Sequence, residues 1–328
     1  MSDTLSVGNQ NFRGTALWTG PIRAKKFLKR FYATSVATNT MNTDYEGELK
    51  AVGERITIPQ RPVGTIGTWS SDKTYTYPQL VPPAAKELVI TEAPDFEFGI
   101  NNIDKIQAFN KDFDAEALDE YNQKMRISIE TTILNAAGAL VDPSNTGNAA
   151  GKGGYLQLGT LAAPVYLTAD KSYKDANGRQ YVNIVKFLTG CMTALSDNNI
   201  DPNIERFGIG CPMLFNTLAN SSLASALFTG DSVGVIRKGP DNVGKVQGMN
   251  LWQTTLFNTT TTEDGSIVFP FLFGVKNAWS FAAQNKDFWS GELQNKAGWG
   301  YRGVTIYGWN VLIPTAIGCG YVSFDGSF

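Results

Sequence analysis

The chain has 328 residues, enough for two or more compact subdomains that each bury a core without a disulfide or a metal. Of these residues 42% are hydrophobic and 18% are charged, with 33 glycines and 19 phenylalanines, which indicates a folded, loop-rich protein and excludes a disordered one. The formal net charge of -2 argues against nucleic-acid binding through a positive field over the whole surface, while a local basic patch stays open.

The chain contains no histidine, which excludes Ser-His-Asp and Cys-His nucleophile pairs, the HExxH zinc site and the usual general base near neutral pH. Carboxylate or lysine chemistry stays open. Cys191, Cys211 and Cys319 are widely spaced and odd in number, which predicts buried thiols in a reducing compartment rather than a disulfide framework. We expect neither a signal peptide nor a membrane span, because the longest apolar run is the short segment 268–275.

Residues 1–20 are polar and interrupted by glycine, which is typical of an extended arm. The large side chains of Phe12 and Trp18 are isolated in this arm, so they need a surface outside it to pack on. Pro21 then precedes a predicted short helix surrounded by basic side chains. This basic cluster could contact nucleic acid, an acidic scaffold or an acidic neighbour, or it could form a solvated helix face. Its members are Arg23, Lys25, Lys26, Lys29 and Arg30.

Residues 53–100 predict a long antiparallel excursion with many turns and prolines. The stretch GERITIP predicts its first strand, and LVITEAPDFEFGI predicts a second strand pair. Trp69, Tyr75 and Tyr77 flank a predicted turn at SSDK. These aromatic side chains could form a platform that stacks on sugars or bases, or they could be buried against another subunit.

The stretch DFDAEALDEYNQKMRISIETTILNAA at 112–137 predicts a helix of unusual length. Two of its acids, Glu116 and Glu120, are four residues apart and could face one substrate or metal. Acids near a helix N-terminus are also favoured by the positive end of the helix dipole. The apolar positions step by four residues, so the apolar stripe drifts around the axis and a stable coiled coil is not expected. We therefore interpret this helix as a structural support.

The rest of the chain alternates loops, helices and strands. Residues 141–180 are predicted to be loop-like, and residues 181–199 to form a helix with one apolar face. Residues 181–290 are then typical of a mixed subdomain in which helices pack on a sheet. The final stretch, GWGYRGVTIYGWNVLIPTAIGCGYVSF, predicts two further strands.

Taken together, this order of elements resembles the major capsid proteins of tailed bacteriophages, which share the Hong Kong 97-type fold. The residues that carry the resemblance are GERITIP, KELVITEAPDFEFGINNIDKIQ, the acid-headed helix, NAWSFAAQ and WGYRGVTIYGWNVLIP. The resemblance implies an α+β fold with five parts. They are an N-terminal arm and basic helix at 1–46, an extended β-hairpin loop with flanking strands at 47–100, a peripheral domain at 101–180 with spine helix 112–137, an axial domain at 181–290, and C-terminal strands at 291–328 that return to the peripheral domain.

The resemblance also implies a function. It implies a non-enzymatic protein of the virion capsid, which self-assembles as hexamers and pentamers in the cytoplasm of a bacterial host. The icosahedral shell would enclose a double-stranded DNA genome held without sequence specificity, and no membrane, metal or cofactor is implied. Further candidate partners are a separate scaffolding protein, a portal and decoration proteins. The candidate contacts between subunits are Phe12, Trp18, Trp69, Tyr75 and Tyr77, and the basic cluster is the candidate contact to the inner face or to a scaffold.

Three other functions stay open at this stage. An encapsulin-type nanocompartment shares the fold but stores cargo enzymes instead of a genome. A carbohydrate-binding or attachment protein would use Trp69, Tyr75 and Tyr77 to stack on glycans. A hydrolase would use Glu116 and Glu120 as its paired acids.

Overall fold

A computed structural model gives the fold, and it describes most of the chain. The described residues are 36–45, 55–58, 64, 66–75, 85–101, 113–169, 172–175, 179–221, 243–246, 248–294 and 297–324.

Within these residues the chain alternates helices and strands. The helices are α1 (Ala37–Thr40), α2 (Phe113–Ala137), α3 (Ile184–Asp197) and α4 (Pro212–Ala219), with short 3-10 turns at Gly138–Leu140, Pro143–Asn145, Lys276–Ala278 and Pro314–Ala316. The strands are β1 (Arg55–Ile58), β2 (Lys86–Val89), β3 (Asp95–Asn101), β4 (Val165–Thr168), β5 (Tyr173–Lys174), β6 (Gln180–Asn183), β7 (Arg206–Gly210), β8 (Val243–Val246), β9 (Met249–Gln253), β10 (Thr260–Thr261), β11 (Ile267–Val275), β12 (Trp279–Glu292), β13 (Gly298–Val311) and β14 (Ile317–Phe324).

The strands form three sheets. The largest has nine strands in the order β5-β6-β4-β14-β11-β7-β9-β8, with β10 paired to β11 at the side. A second sheet has the order β12-β13-β3, and its two longest strands pair over 13 aligned positions that a bulge near Asn285 interrupts. The third sheet is the antiparallel pair of β1 and β2.

The large sheet is covered on both faces because its strands alternate their side chains. On β11, Phe271 and Phe273 face the helices α3 and α4, whereas Leu272 faces the opposite side, with the end of α2 and Trp279. The same alternation places Phe207 and Ile209 of β7 on the side of Trp279, where the Phe207 and Trp279 rings stack 5.5 Å apart. The core of the protein therefore has two layers, one on each side of this sheet.

Glycines on the helix-covered face make room for the two phenylalanine rings of β11. The Phe273 ring lies against its cross-strand partner Gly318, and the Phe271 ring lies against Gly208 and Gly210 of β7. A Cβ atom on Gly318 would collide with the ring of Phe273. Each ring thus occupies the space that a neighbouring side chain would need, which fixes how the strands of the sheet pack.

The predicted long helix is confirmed as α2, and it joins the two larger sheets. Near its N-terminal end the Tyr121 ring stacks on Phe98 of β3 at 4.8 Å, and Phe98 in turn stacks on Tyr301 of β13 at 5.0 Å. At its C-terminal end Ile133 and Leu134 are fully buried against the large sheet. One continuous helix therefore packs at one end on the three-stranded sheet of β12, β13 and β3, called the small sheet from here on, and at the other end on the large sheet.

Several strands were predicted correctly but pair differently from the prediction. β1 pairs antiparallel with β2, and β3 leaves the excursion and pairs with β13. The predicted second pair within LVITEAPDFEFGI is therefore wrong. The reason is that β13, about 200 residues later, offers β3 a long antiparallel partner on the face that packs against α2.

The loop-like interpretation of 141–180 is wrong for β4, and the helix predicted at 181–199 begins later than expected. Val165 and Leu167 alternate inward, and β4 pairs in parallel with both β14 and β6. Asn183 accepts hydrogen bonds from the backbone N–H groups of Val185 and Lys186, so α3 begins only at Ile184. Both differences come from long-range pairing of residues 165–168 and 180–183.

Strand membership also divides the closing residues. β13 lies in the small sheet beside β12 and β3, whereas β14 lies in the centre of the large sheet. The predicted strands at both positions are confirmed. The predicted domain boundaries stay a prediction.

Substituting Gly318 by alanine is expected to destabilise the subunit by about 1–3 kcal/mol, because the new methyl group must displace the Phe273 ring in a packed core. Denaturant unfolding of the soluble subunit measures this change. Gly64→Ala is the matched control, since a Cβ atom there meets nothing within 4 Å, and its free energy of unfolding should change by less than about 0.5 kcal/mol. Equal stability of the two variants would contradict the packing described for Phe273.

Candidate assembly interface

The loop between β1 and β2, which forms the tip of the predicted excursion, exposes large apolar side chains to solvent. Ile66 is 102% exposed, Trp69 73% and Tyr75 57%. Exposed apolar side chains scattered singly are ordinary, but here three lie within ten residues of one loop. Clustered exposed apolar side chains are typical of contacts with another protein or a ligand.

A turn at the predicted SSDK position shapes this tip. The Lys73 backbone N–H donates to the Ser70 carbonyl at 3.2 Å, and the Lys73 ammonium donates to the Thr68 carbonyl at 2.5 Å. The same ammonium lies 5.8 Å from the centre of the Tyr75 ring. Lys73 therefore bonds within its own loop and holds Tyr75 beside the turn.

The base of the excursion, formed by β1 and β2, packs on the small sheet. Ile56, Leu88 and Ile90 are buried against Ala282 of β12 and Ile306 of β13. The Asn310 side-chain amide also donates to the Glu87 carbonyl at 2.8 Å. A fixed base with an exposed tip means that the tip finds no cover on its own subunit within the described residues.

The structure describes two of the predicted contact residues, Trp69 and Tyr75, and places both at this tip. The remaining candidates lie outside the described residues. They are Phe12, Trp18, Tyr77, Arg23, Lys25, Lys26, Lys29 and Arg30.

A second exposed aromatic pair was not predicted. Phe288 is 59% exposed and Trp289 39%, near the end of β12. The Trp289 ring lies over Gly291 and Gly300, and the Arg302 guanidinium is 5.7 Å from its centre. The sequence signal was present, because adjacent residues of a strand point to opposite faces and a sheet covered on one face cannot bury both.

The two acids that the sequence analysis paired on α2, Glu116 and Glu120, have different surroundings. Glu116 is exposed, and Glu120 forms an ion pair with Lys124 at 3.1 Å, one helical turn later. The acid that sequence reasoning missed is Glu130, which is 3% exposed and accepts hydrogen bonds from the backbone N–H groups of Val36 and Ala37. No sequence pattern marks Glu130, since its partners lie over 90 residues away.

Among the described residues, no three Asp, Glu or Cys side chains converge in a group that could hold a metal ion. In the same part of the chain, every helix is too short or too polar to cross a membrane.

Comparison with solved structures gives long matches at low sequence identity. The capsid structure of cyanophage P-SCSP1u matches with a TM-score of 0.65 at 12% identity, covering 95% of this chain and 94% of that one. The capsid of Ralstonia phage GP4 matches with a TM-score of 0.59 at 12% identity, and the match covers 93% of this chain and 94% of that one. A structure of Mycobacterium phage Che8 matches at 0.61 and 16% identity, covering 93% and 96%.

The chain has the fold of tailed-phage capsid proteins. This confirms the resemblance that the order of elements indicated. At sequence level, no protein-family model and no curated protein matches the chain.

In this capsid-protein fold, the glycine-rich loop at 147–154 is closed by a side chain of the same subunit. The Asp197 carboxylate accepts hydrogen bonds from the Tyr155 hydroxyl at 2.6 Å and the Lys152 backbone N–H at 3.0 Å. These bonds lower the pKa of Asp197, the hydroxyl contributing most. A carboxylate thus occupies a backbone donor that a phosphate-binding loop would offer to its ligand.

The three thiols of the capsid-protein fold are all free and buried, as predicted. Burial raises the pKa of Cys211 to about 11 and that of Cys319 to about 12, and it raises the pKa of Cys191 well above its ordinary value. A thiol that stays protonated at neutral pH and has no access to solvent is a poor nucleophile.

The folded subunit is therefore expected to react with a thiol reagent at pH 8 at least about 100-fold more slowly than free cysteine, because little thiolate forms below the raised pKa values. Below its pKa a thiol gains about tenfold in thiolate for each pH unit, so the slow rate of the folded subunit should still be rising at pH 9, where the rate of free cysteine is levelling off. The absorbance of the chromophore released from the reagent gives the rate. The denatured chain is the control, and it should release three equivalents of chromophore, one for each cysteine. Rapid reaction of one thiol in the native subunit would contradict the burial described here.

Proposed function

We propose that this chain is the major capsid protein of a tailed bacteriophage, a structural and non-enzymatic protein of the virion. Copies of the chain assemble, as hexamers and pentamers, into an icosahedral shell around a double-stranded DNA genome. Assembly takes place in the cytoplasm of the bacterial host.

One observation carries this proposal: the match to capsid structures extends over nearly the full length of both chains. A shared core alone would cover only part of each chain, whereas here coverage is 95% and 94% for the cyanophage capsid. The parts of the chain outside the large sheet include the long helix, the excursion with its packed base, and the sheet of β3, β12 and β13. These parts contribute least to the core of a single subunit, since much of their surface is uncovered.

The exposed tip supports the same proposal on physical grounds. Trp69, Tyr75 and Ile66 lose favourable free energy by facing water, at about 25 cal/mol for each Å² of apolar surface. We propose that a neighbouring copy covers them, with Tyr77, Phe12 and Trp18 as further contacts. Aromatic side chains are enriched at the buried centres of protein interfaces.

We propose the domain roles that the resemblance implies, with one adjustment. The arm is 1–46, the extended loop 47–100, the peripheral domain 101–180 with α2 as its spine, the axial domain 181–290, and the closing strands 291–328. Because β4 and β14 pair within the large sheet, we assign both strands to the axial side. The basic residues at 23–30 would then contact DNA or a separate scaffolding protein at the inner face, and a portal and decoration proteins would be further partners.

Two alternatives make different predictions about the assembled product. An encapsulin-type shell would contain a protein cargo, so purified particles would hold protein inside and no genome. A carbohydrate-binding protein would stay small in solution and bind glycans through Trp69 and Tyr75. Particle size and nucleic-acid content separate all three.

Replacing both tip residues, Trp69→Ser and Tyr75→Ser, is expected to leave the subunit folded, because exposed side chains contribute little to its stability. The yield of closed particles should fall by about tenfold or more, since truncating aromatic residues at an interface centre costs at least about 1–2 kcal/mol each. Analytical ultracentrifugation measures the fraction of chain in particles.

The matched control removes exposed apolar side chains elsewhere. Leu161→Ser with Ile204→Ser changes residues that are 49% and 46% exposed and lie outside the excursion, and its particle yield should stay near that of the unmodified chain. Normal yield of the tip variant would show that the tip is not an assembly contact.

A further inference from the structure

Four residues of the stretch 36–45 are buried, namely Val36, Ala37, Thr40 and Met41, although the stretch lies outside the three sheets. Val36, Ala37 and Met41 are at most 1% exposed and pack among Ile133 and Trp279 in the core beside the large sheet. This stretch carries α1, and it is where the first 35 residues of the chain join the described body.

A buried acid holds the first residues of α1. Oε1 of Glu130 accepts hydrogen bonds from the backbone N–H of Val36 and from that of Ala37, the latter at 2.6 Å. The first N–H groups of a helix have no partner inside the helix, so in a buried position they need an acceptor from elsewhere. An ionised carboxylate forms strong, short bonds with such donors.

A buried tryptophan holds the other end. The Trp279 indole N–H donates to the Thr40 carbonyl at 2.8 Å, and the Asn42 backbone N–H donates to the Trp279 carbonyl at 3.0 Å. The Phe281 backbone N–H donates back to the Asn42 carbonyl at 2.9 Å. Residues 40–42 are therefore tied to the start of β12 by directional bonds.

We propose that Glu130 is a positioning residue, which together with Trp279 fixes the place and the direction in which the N-terminal segment joins the subunit. Apolar packing of Val36 and Met41 would hold the stretch in the core but not orient it, because the hydrophobic effect is non-directional. Hydrogen bonds at both ends of α1 supply that orientation. The consequence for assembly rests on the proposed function, since the segment includes Phe12, Trp18 and the basic cluster, whereas the local role does not.

Three variants of the full-length soluble subunit test the local role. Glu130→Met keeps the length of the side chain but removes the acceptor, and Glu130→Gln keeps one acceptor oxygen. Glu120→Gln is the matched control, because Glu120 lies on the same helix and pairs with Lys124 near the surface. Hydrogen exchange at the amides of Val36 and Ala37 is the readout.

The methionine variant is expected to exchange these two amides about tenfold faster or more, while the amides of β11 and β14 keep their protection. In the Glu130→Gln variant these two amides should exchange at a rate closer to that of the unmodified chain. In the Glu120→Gln control they should exchange at the same rate as in the unmodified chain. Unchanged exchange at Val36 and Ala37 in the methionine variant would overturn the proposal, as would an equal rise throughout the core. If the methionine variant does not fold, Glu130→Asp replaces it, since a shorter side chain withdraws the carboxylate and should raise the same exchange; unchanged exchange there would also overturn the proposal.

Particle yield tests the consequence for assembly. The methionine variant should lose about tenfold in particle yield, with a melting temperature lowered by a few degrees because two buried donors lose their acceptor. The glutamine variant should recover most of the yield. Full yield from the methionine variant would overturn the assembly role. Failure of the unmodified chain to form particles would instead refute the proposed function, and the exchange result at Val36 and Ala37 would still decide the role of Glu130.

Discussion

The structure depends on one constraint, namely that a nine-stranded sheet must be covered on both of its faces. Alternating side chains meet this constraint: Phe271 and Phe273 face α3 and α4, and Leu272 faces α2 and Trp279. Glycines on the neighbouring strands leave the space that the two phenylalanine rings occupy. Every other part of the described chain attaches to this two-layered core.

The parts that extend from the core follow from how α2 is buried. Only its C-terminal half enters the core, so its N-terminal half projects and is held to the small sheet by the stacked rings of Tyr121, Phe98 and Tyr301. The small sheet supports the base of the excursion, which places Trp69 and Tyr75 at an exposed tip. A chain built in this way leaves apolar surface that a second copy can cover, which agrees with self-assembly.

Much of this could be predicted from local sequence patterns, and the failures share one physical cause. The long helix was indicated by apolar positions spaced by four residues, and β1 by the alternation of Ile56 and Ile58 with polar residues. The order of strands, the strand β4 and the partner of β3 depend on pairing between residues far apart in the chain, which no local period reveals. Pairing with distant partners decided these elements, not intrinsic propensity.

The candidate site shows the same division. The exposure of Trp69 and Tyr75 followed from turn and proline signals around them, whereas no local signal distinguishes Glu130 from the other acids of α2. Its burial depends on Val36 and Ala37, which lie more than 90 residues earlier. Likewise Arg206 is 1% exposed, with its guanidinium donating to the Met192 and Ile200 carbonyls at the end of α3, where the negative end of the helix favours a cation.

Electron microscopy of the purified, unmodified protein tests the central claim most directly. The proposed function predicts closed shells of one size with icosahedral symmetry, whose subunits fit this fold with the excursion tip buried against a neighbouring copy. Only monomers or small rings with the tip facing solvent, under conditions where the chain is folded, would contradict it.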